Sequence, residues 1–202
     1  MMVQSKEQLK QTIVLYAMLS SLFLTLPDET LVKSIVSKEL EEGTGSKAFD
    51  EIARYGQEQQ NRNSTDVLLD LARDRVRLMR GVNQEGIEPP YESLYLGQQA
   101  NASIGSLNVF YQEMGYTLAD DVKDAPDQLG VEIAFDKLIL EHELKFLDQG
   151  DYEKAVEYEA LHQRFLNQHL GRWASNYAAK MEQAAQTGFY RGVALLIIEL
   201  LP

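Results

Sequence analysis

The sequence predicts an all-α fold, a single-domain helical globule of about eight to ten helices over residues 1–202. Three observations carry that prediction. Proline is scarce, with five in 202 residues, while Ala, Leu, Glu and Gln are frequent. Apolar residues make up 45% of the chain, enough to build a packed core. No stretch alternates apolar and polar residues with β-branched enrichment, and no internal repeat or low-complexity tract interrupts the pattern.

The first helix is expected to start at Ser5, where Gln8 completes a capping box, and to run to about Leu26, before Pro27-Asp28. Leu9, Ile13, Tyr16, Leu19 and Phe23, with Val14, Leu15, Met18 and Leu22, cover most of its circumference, which predicts a central, buried helix. A second helix is expected from Asp28 to about Leu40, broken by Gly43-Thr44-Gly45. Ser46 caps a third, to about Gln59. Ser64-Thr65-Asp66 offers caps for a fourth, ending at Gly81, a good residue just past a helix C-terminus. A fifth spans about Gly97 to Met114. Pro126 suits the first turn of a sixth, which reaches about Gln149. Gly150-Asp151 separates it from a seventh (about Tyr152–Leu170). An eighth runs to about Gln186, and Thr187-Gly188 precedes a last apolar helix.

Two polar, proline-bearing breaks stand out: Glu88-Pro89-Pro90-Tyr91-Glu92-Ser93-Leu94-Tyr95, and Asp120-Asp121-Val122-Lys123-Asp124-Ala125-Pro126-Asp127-Gln128. Proline fixes its own φ and pushes the preceding residue out of the helical region, so both read as stiff, solvent-facing loops on a rigid frame. One offers aromatic rings and the other carboxylates. Together they suit a partner with apolar and cationic side chains, such as a peptide, and they are expected close together on one face.

Charge and composition exclude several classes. The net charge is −12, and residues 120–159 hold 13 Asp or Glu against 4 Lys. This balance opposes phosphate neutralisation, so nucleic acid is not an expected partner. The acid reads either as a solubilising surface or as steering for a basic partner. The absence of cysteine removes disulfides, thiolate catalysis and zinc-thiolate or iron–sulfur ligation. The N-terminus has no signal-peptide pattern. The longest apolar run, Gly192–Leu201, contains Glu199 and falls well short of the ~20 residues that span a bilayer. A soluble, cytoplasmic protein without a membrane span is expected.

Chemistry-bearing patterns are sparse. His162 and His169, seven apart, fall in the stripe Tyr158, Leu161, His162, Phe165, His169, Trp173, Tyr177, which reads as core with polar tips, and no metal or other cofactor is expected. No Gly-x-Ser-x-Gly elbow or phosphate-cradling glycine motif occurs. Asp124 and Asp127 form an acid/base pair if a cleft buries them, which leaves a small-molecule or GTP-handling enzyme as the alternative function. Arg73-Asp74-Arg75-Val76-Arg77 reads either as a salt-bridged face, with Arg77–Asp74 and Arg73–Asp70 pairs, or as an anchor for the proline loop or a bound peptide.

Taken in order, these segments resemble the TorD/DmsD family of redox-enzyme maturation chaperones over nearly the whole chain. Tyr16-Ala17-Met18-Leu19-Ser20-Ser21-Leu22-Phe23 with Pro27-Asp28-Glu29 is similar to the family's opening helix. Asp74 to Gly81 lies where the family has an acidic residue, an aromatic, then Arg-Leu-Phe before a Gly. Pro90-Tyr91-Glu92-Ser93-Leu94-Tyr95 resembles its Pro-Tyr/Trp-x-Ser-Val/Leu-Tyr loop. Asp124-Ala125-Pro126-Asp127-Gln128 sits at its Glu-x-Pro-Asp-His motif, and Phe165 to Trp173 and Phe189-Tyr190-Arg191 are similar to its C-terminal signatures. The chain departs from the pattern at Asp124 (Glu), Gln128 (His), Arg75 (an aromatic) and Met79 (Phe).

The resemblance implies a non-enzymatic cytoplasmic chaperone. It implies binding to the twin-arginine signal peptide or the apo catalytic subunit of a molybdenum (molybdopterin) oxidoreductase, with export delayed until the cofactor is inserted. Carried over, it implies peptide-binding residues Arg77, Leu78, Met79, Pro90, Tyr91, Glu92, Ser93, Tyr95, Asp124, Pro126, Asp127 and Gln128. Either a monomer or a dimer swapped through Gly115–Asp127 is expected.

Overall fold

The computed structural model describes residues 5–37, 43, 45–81, 86–97, 100–117 and 125–202, with no side-chain description at 100–103. Ten α-helices and one 3₁₀ turn make up the described regular structure, and the only strand-like pairing there is an isolated antiparallel bridge. The all-α expectation holds. None of the described helices is long and apolar enough to cross a membrane. The chain divides into two compact units, each assembled from two separate stretches: residues 1–24 with 91–173, and 25–90 with 174–202.

The first unit contains α1 (Lys6–Leu24), α5 (Glu92–Leu96), α6 (Ala100–Glu113), α7 (Leu129–Gln149), α8 (Tyr152–Gln168) and the 3₁₀ turn Leu170–Arg172. Ser5 and Gln8 cap α1 reciprocally, as the capping box requires: the Ser5 N–H donates to Gln8 Oε1 (3.0 Å) and the Gln8 N–H to Ser5 Oγ (3.2 Å). The expectation that α1 is buried all round is overturned. Leu9, Tyr16, Leu19, Ser20 and Phe23 are buried against α7, while Val14 is 66% exposed. The central helix is α7, whose first turns from Leu129 to Ile133 are buried on every side.

Gly130 explains how α1 and α7 come so close. A Cβ there would lie 2.8 Å from Phe23 Cβ and 3.0 Å from Leu24 Cγ. Ser20 Oγ donates to the Gly130 carbonyl (2.9 Å) and locks the contact. Gly150, at φ +76°, ends α7 in the left-handed region, and Asp151 caps α8.

The second unit contains α2 (Glu29–Ile35), α3 (Lys47–Gln59), α4 (Ser64–Met79), α9 (Ala174–Ala184) and α10 (Gly188–Leu200). Each of Asp28, Ser46 and Thr187 caps its helix by accepting from the N–H three residues ahead, whereas Asn63, rather than Ser64 or Thr65, caps α4. The apolar α10 fills the middle of this unit and packs on α3, α9 and α4. Gly192 lets α3 approach, since a Cβ there would meet Ile52 Cγ1 at 2.5 Å and the Ala48 carbonyl at 2.9 Å.

Candidate functional site

In the first unit, Tyr91–Tyr95 of the first proline-bearing break meets Ala125–Gln128 of the second. Tyr91 and Gln128 form the antiparallel bridge, and the Glu92 N–H donates to the Asp127 carbonyl (2.9 Å). Tyr91 stands at the N-cap position of α5 in the β region and supplies no side-chain cap of its own. The cap comes from across the clasp: the Ser93 N–H donates to Asp127 Oδ2 (3.2 Å). The Tyr111 hydroxyl pins the same segment by donating to the Pro126 carbonyl (2.8 Å).

Gln128 begins α7. Its Oε1 accepts from the N–H groups of Gly130 (2.5 Å) and Val131 (3.2 Å). Helix α7 therefore starts at Leu129, and Pro126, expected in its first turn, lies in the turn before the cap. Where the family pattern has histidine, the amide oxygen of Gln128 is an acceptor that does not titrate.

Beneath the clasp lies a layer of buried carboxyl groups. Glu92 is 0% exposed, Asp127 3%, and Glu132 and Asp136 0%. His169, also buried, lies between Glu92 and Ser106. Its Nδ1 is 3.1 and 3.2 Å from the two Glu92 carboxylate oxygens, and its Nε2 is 3.2 Å from Ser106 Oγ. Phe110 and Phe165 flank the imidazole. Trp173 Nε1 donates to Glu132 Oε2 (3.4 Å), and the Trp173 ring lies 5.5 Å from that of Tyr95 on α5. His162 Nδ1 meets Asp136 Oδ1 at 2.8 Å.

The electrostatics follow from burial. Desolvation pushes the Glu132 carboxyl well above the usual range, and the charges of Glu92 and Asp127 push it further, against the Trp173 N–H. Its Oε1 has no hydrogen-bond partner among the described residues, a cost that the neutral acid reduces. Burial also raises Asp136, against the hydrogen bond from His162. Burial works to lower the His162 pKa, but the bond and charge of Asp136, with Glu143 and Glu159 beyond, raise it overall.

These positions correct several expectations. Asp127 is not a solvated loop carboxylate. It is a buried cap, and Glu92 is a buried partner of His169. Gln128 is buried as well. Tyr91, Ser93, Tyr95 and Pro126 are half-buried, and Leu94 between them is 47% exposed. Asp124 lies outside the described residues, as do Asp120, Asp121, Val122 and Lys123 of the acidic break and the middle of the expected swap hinge.

The remaining candidates belong to the second unit. Leu78 and Met79 are 0% and 3% exposed, and Pro90 is buried. Arg77 donates to Asp74 Oδ1 (2.5 Å) and to the Ala184 carbonyl. Asp74, itself buried, also accepts from the N–H groups of Gln186 (3.1 Å) and Thr187 (2.8 Å) and from Thr187 Oγ1 (2.8 Å). The expected Arg77–Asp74 pair thus forms, and it fastens α4 to the turn between α9 and α10. Asp70 pairs with Arg62 (2.9 Å) where Arg73 was expected.

The buried acid layer was missed from sequence. Its one local signal is the four-residue spacing of Gln128, the N-cap, with Glu132 and Asp136 on α7, which puts three polar groups on one side amid apolar residues.

Comparison with known proteins identifies a family. A sequence profile of the family described as nitrate reductase delta subunit matches residues 39–179. The chain is similar to a protein named chaperone protein TorD from Vibrio parahaemolyticus serotype O3:K6 (strain RIMD 2210633), with 29% identity over 145 residues. That match covers 69% of this chain and 63% of the relative's length.

Proposed function

The chain belongs to the nitrate reductase delta subunit family, the TorD/DmsD group of redox-enzyme maturation chaperones, and from that premise we propose that it binds the twin-arginine signal peptide, or the apo catalytic subunit, of a molybdenum oxidoreductase. In this reading it works in the cytoplasm, assists cofactor insertion, delays export and catalyses no reaction.

The observation that supports this reading is the clasp. A five-residue helix is far too short to hold itself in water. Here it is held by Asp127, by the Tyr91–Gln128 bridge and by the Tyr95–Trp173 contact. The result is a pre-organised rim of Tyr91, Ser93, Leu94 and Tyr95, and rigid aromatic and apolar groups of this kind suit peptide capture. The enzyme alternative needs Asp127 as an acid or base. That use also needs Asp124 beside it, which lies outside the described residues, while Asp127 is engaged as the cap of α5 at the Ser93 N–H.

Titration of the full chain with a twin-arginine peptide and its Lys-Lys counterpart, followed by fluorescence, tests the proposal. Trp173 reports directly because it touches α5 through Tyr95. Tight binding of the Arg-Arg form that weakens with salt is expected, given the −12 charge. Absence of binding, together with no molybdoenzyme subunit among co-purified proteins, overturns the proposal.

A further inference from the structure

A second surface of the first unit has the shape and charge of a peptide seat. Helix α8 turns Phe165 and Ala155 inward and leaves Tyr152, Val156, Ala160, Gln163 and Asn167 exposed along one stripe. Tyr152 is 67% and Val156 60% exposed. Two hollows of about 420 Å³ each lie along this helix. One is closed on its far side by Glu113 and Met114 at the end of α6, and the other runs on to Asn167 and Gln168. The two share Ala160 and Arg164, so they adjoin in one shallow groove along the exposed face of α8, the second part lined by α8 residues alone. From Val156 to Gln168 it is about 18 Å long at the helical rise, the length of about three turns of a docked helix.

The groove is apolar along its floor and acidic at its edges. Val156, Ala160 and Leu161 line it together with Glu113, Glu157 and Glu159. Exposed Glu153 extends the carboxylate row one turn before Glu157. Among the described lining residues the one cation, Arg164, bonds to Glu113 (3.3 Å) and lies over the Phe110 ring (4.6 Å), and exposed Lys154 near the groove's start pairs with Asp151 (3.5 Å), so one of the three carboxylates already answers Arg164.

We propose that the α6–α8 groove seats an amphipathic helical segment of the client carrying arginine or lysine beside an apolar face, separately from the Tyr91–Tyr95 rim. The charge decides the occupant: an acidic segment would meet unanswered carboxylates, whereas a cationic one is attracted by them. The proposal rests on the client-binding reading and adds the surface that takes the basic segment.

The test uses the full chain and a synthetic peptide with an Arg-Arg pair followed by a leucine–alanine run, bearing a photoreactive group, alongside a Gln-Gln control. Ala160→Arg places bulk and a like charge in the groove at an exposed helical position. It is expected to weaken binding at least tenfold at unchanged Tm. Glu157→Gln is expected to weaken it roughly two- to fivefold and to flatten the salt dependence. Cross-links are expected between residues 152 and 168. If Ala160→Arg lowers the Tm, the Glu157→Gln affinity and the cross-link map decide.

Normal binding by both variants, with cross-links at Tyr91–Tyr95 alone, overturns the groove and leaves the client reading standing. Equal affinity for the Gln-Gln peptide overturns the charge argument. A wild-type dimer that Ala160→Arg dissociates makes the groove a self-interface and also overturns the proposal. A wild-type chain that binds neither peptide overturns the groove proposal, and the client reading falls with it only if no molybdoenzyme subunit co-purifies either.

Discussion

Replacing Asp127 separates a structural carboxylate from a ligand-binding one. Asp127 is 3% exposed, and its Oδ2 accepts the Ser93 N–H at 3.2 Å, capping α5 from 34 residues away. Asp127→Ala removes that acceptor and leaves the amide without its partner, while the bond from Glu92 N–H to the residue-127 carbonyl is preserved. Losing an N-cap costs about 0.5–2 kcal/mol. Part of that is offset, because the Asp127 charge disfavours ionisation of nearby Glu132. A net loss of ~0.5–1.5 kcal/mol lowers the Tm of a chain this size by about 1–6 °C. Asp127→Asn keeps an oxygen acceptor and is expected to melt within about 1 °C of wild type. Circular-dichroism melts at pH 7 and amide exchange at Ser93 are the assays. An Asp127→Ala protein with wild-type Tm and unchanged Ser93 protection refutes the cap. Any binding defect in that variant is expected together with lost stability, because the rim of α5 loosens.

Three further outcomes are expected. Gly130→Ala gains roughly 1 kcal/mol of helix propensity, but its methyl group meets Phe23 Cβ and Leu24 Cγ within 3.0 Å. Overpacking of this kind typically costs ~1–3 kcal/mol, so a lowered Tm is predicted and a raised one refutes the close α1–α7 contact. Burial, with the Glu159 charge, raises the Glu143 carboxyl from 4.5 to about 7. A carboxyl raised in the folded state stabilises fully below its unfolded pKa and loses that contribution as pH climbs to the folded value. Glu143→Gln should therefore gain on wild type between pH 4.5 and about 7 in melts across that range, and parallel Tm curves refute it. Arg77→Ala leaves buried Asp74 without its cation, for an expected loss of ~1–3 kcal/mol, whereas exposed Arg73→Ala is expected to be neutral in denaturant titration; equal effects refute the distinction.

Most of the helices and their caps were legible in the sequence because their causes are local. Ser5 with Gln8, and Asp28, Ser46, Asp151 and Thr187, each act within three residues, a distance at which spacing is geometry. Glycine and proline punctuation placed most helix ends within a few residues, and the Arg77–Asp74 pair follows from helical periodicity.

Tertiary structure alone decided which residues lie inside. Val14 and Leu9 look alike in sequence, yet only the side of α1 facing α7 is buried. The five-residue α5 has no local reason to exist and forms because Asp127 caps it. The pairs Glu92–His169 and Asp74–Thr187 join positions 77 and 113 residues apart. A carboxylate has the same composition and spacing whether it meets water or an imidazole. Its desolvation depends on which distant helix covers it, so an acidic loop that reads as a peptide-binding surface proves, at Asp127, to be part of the frame.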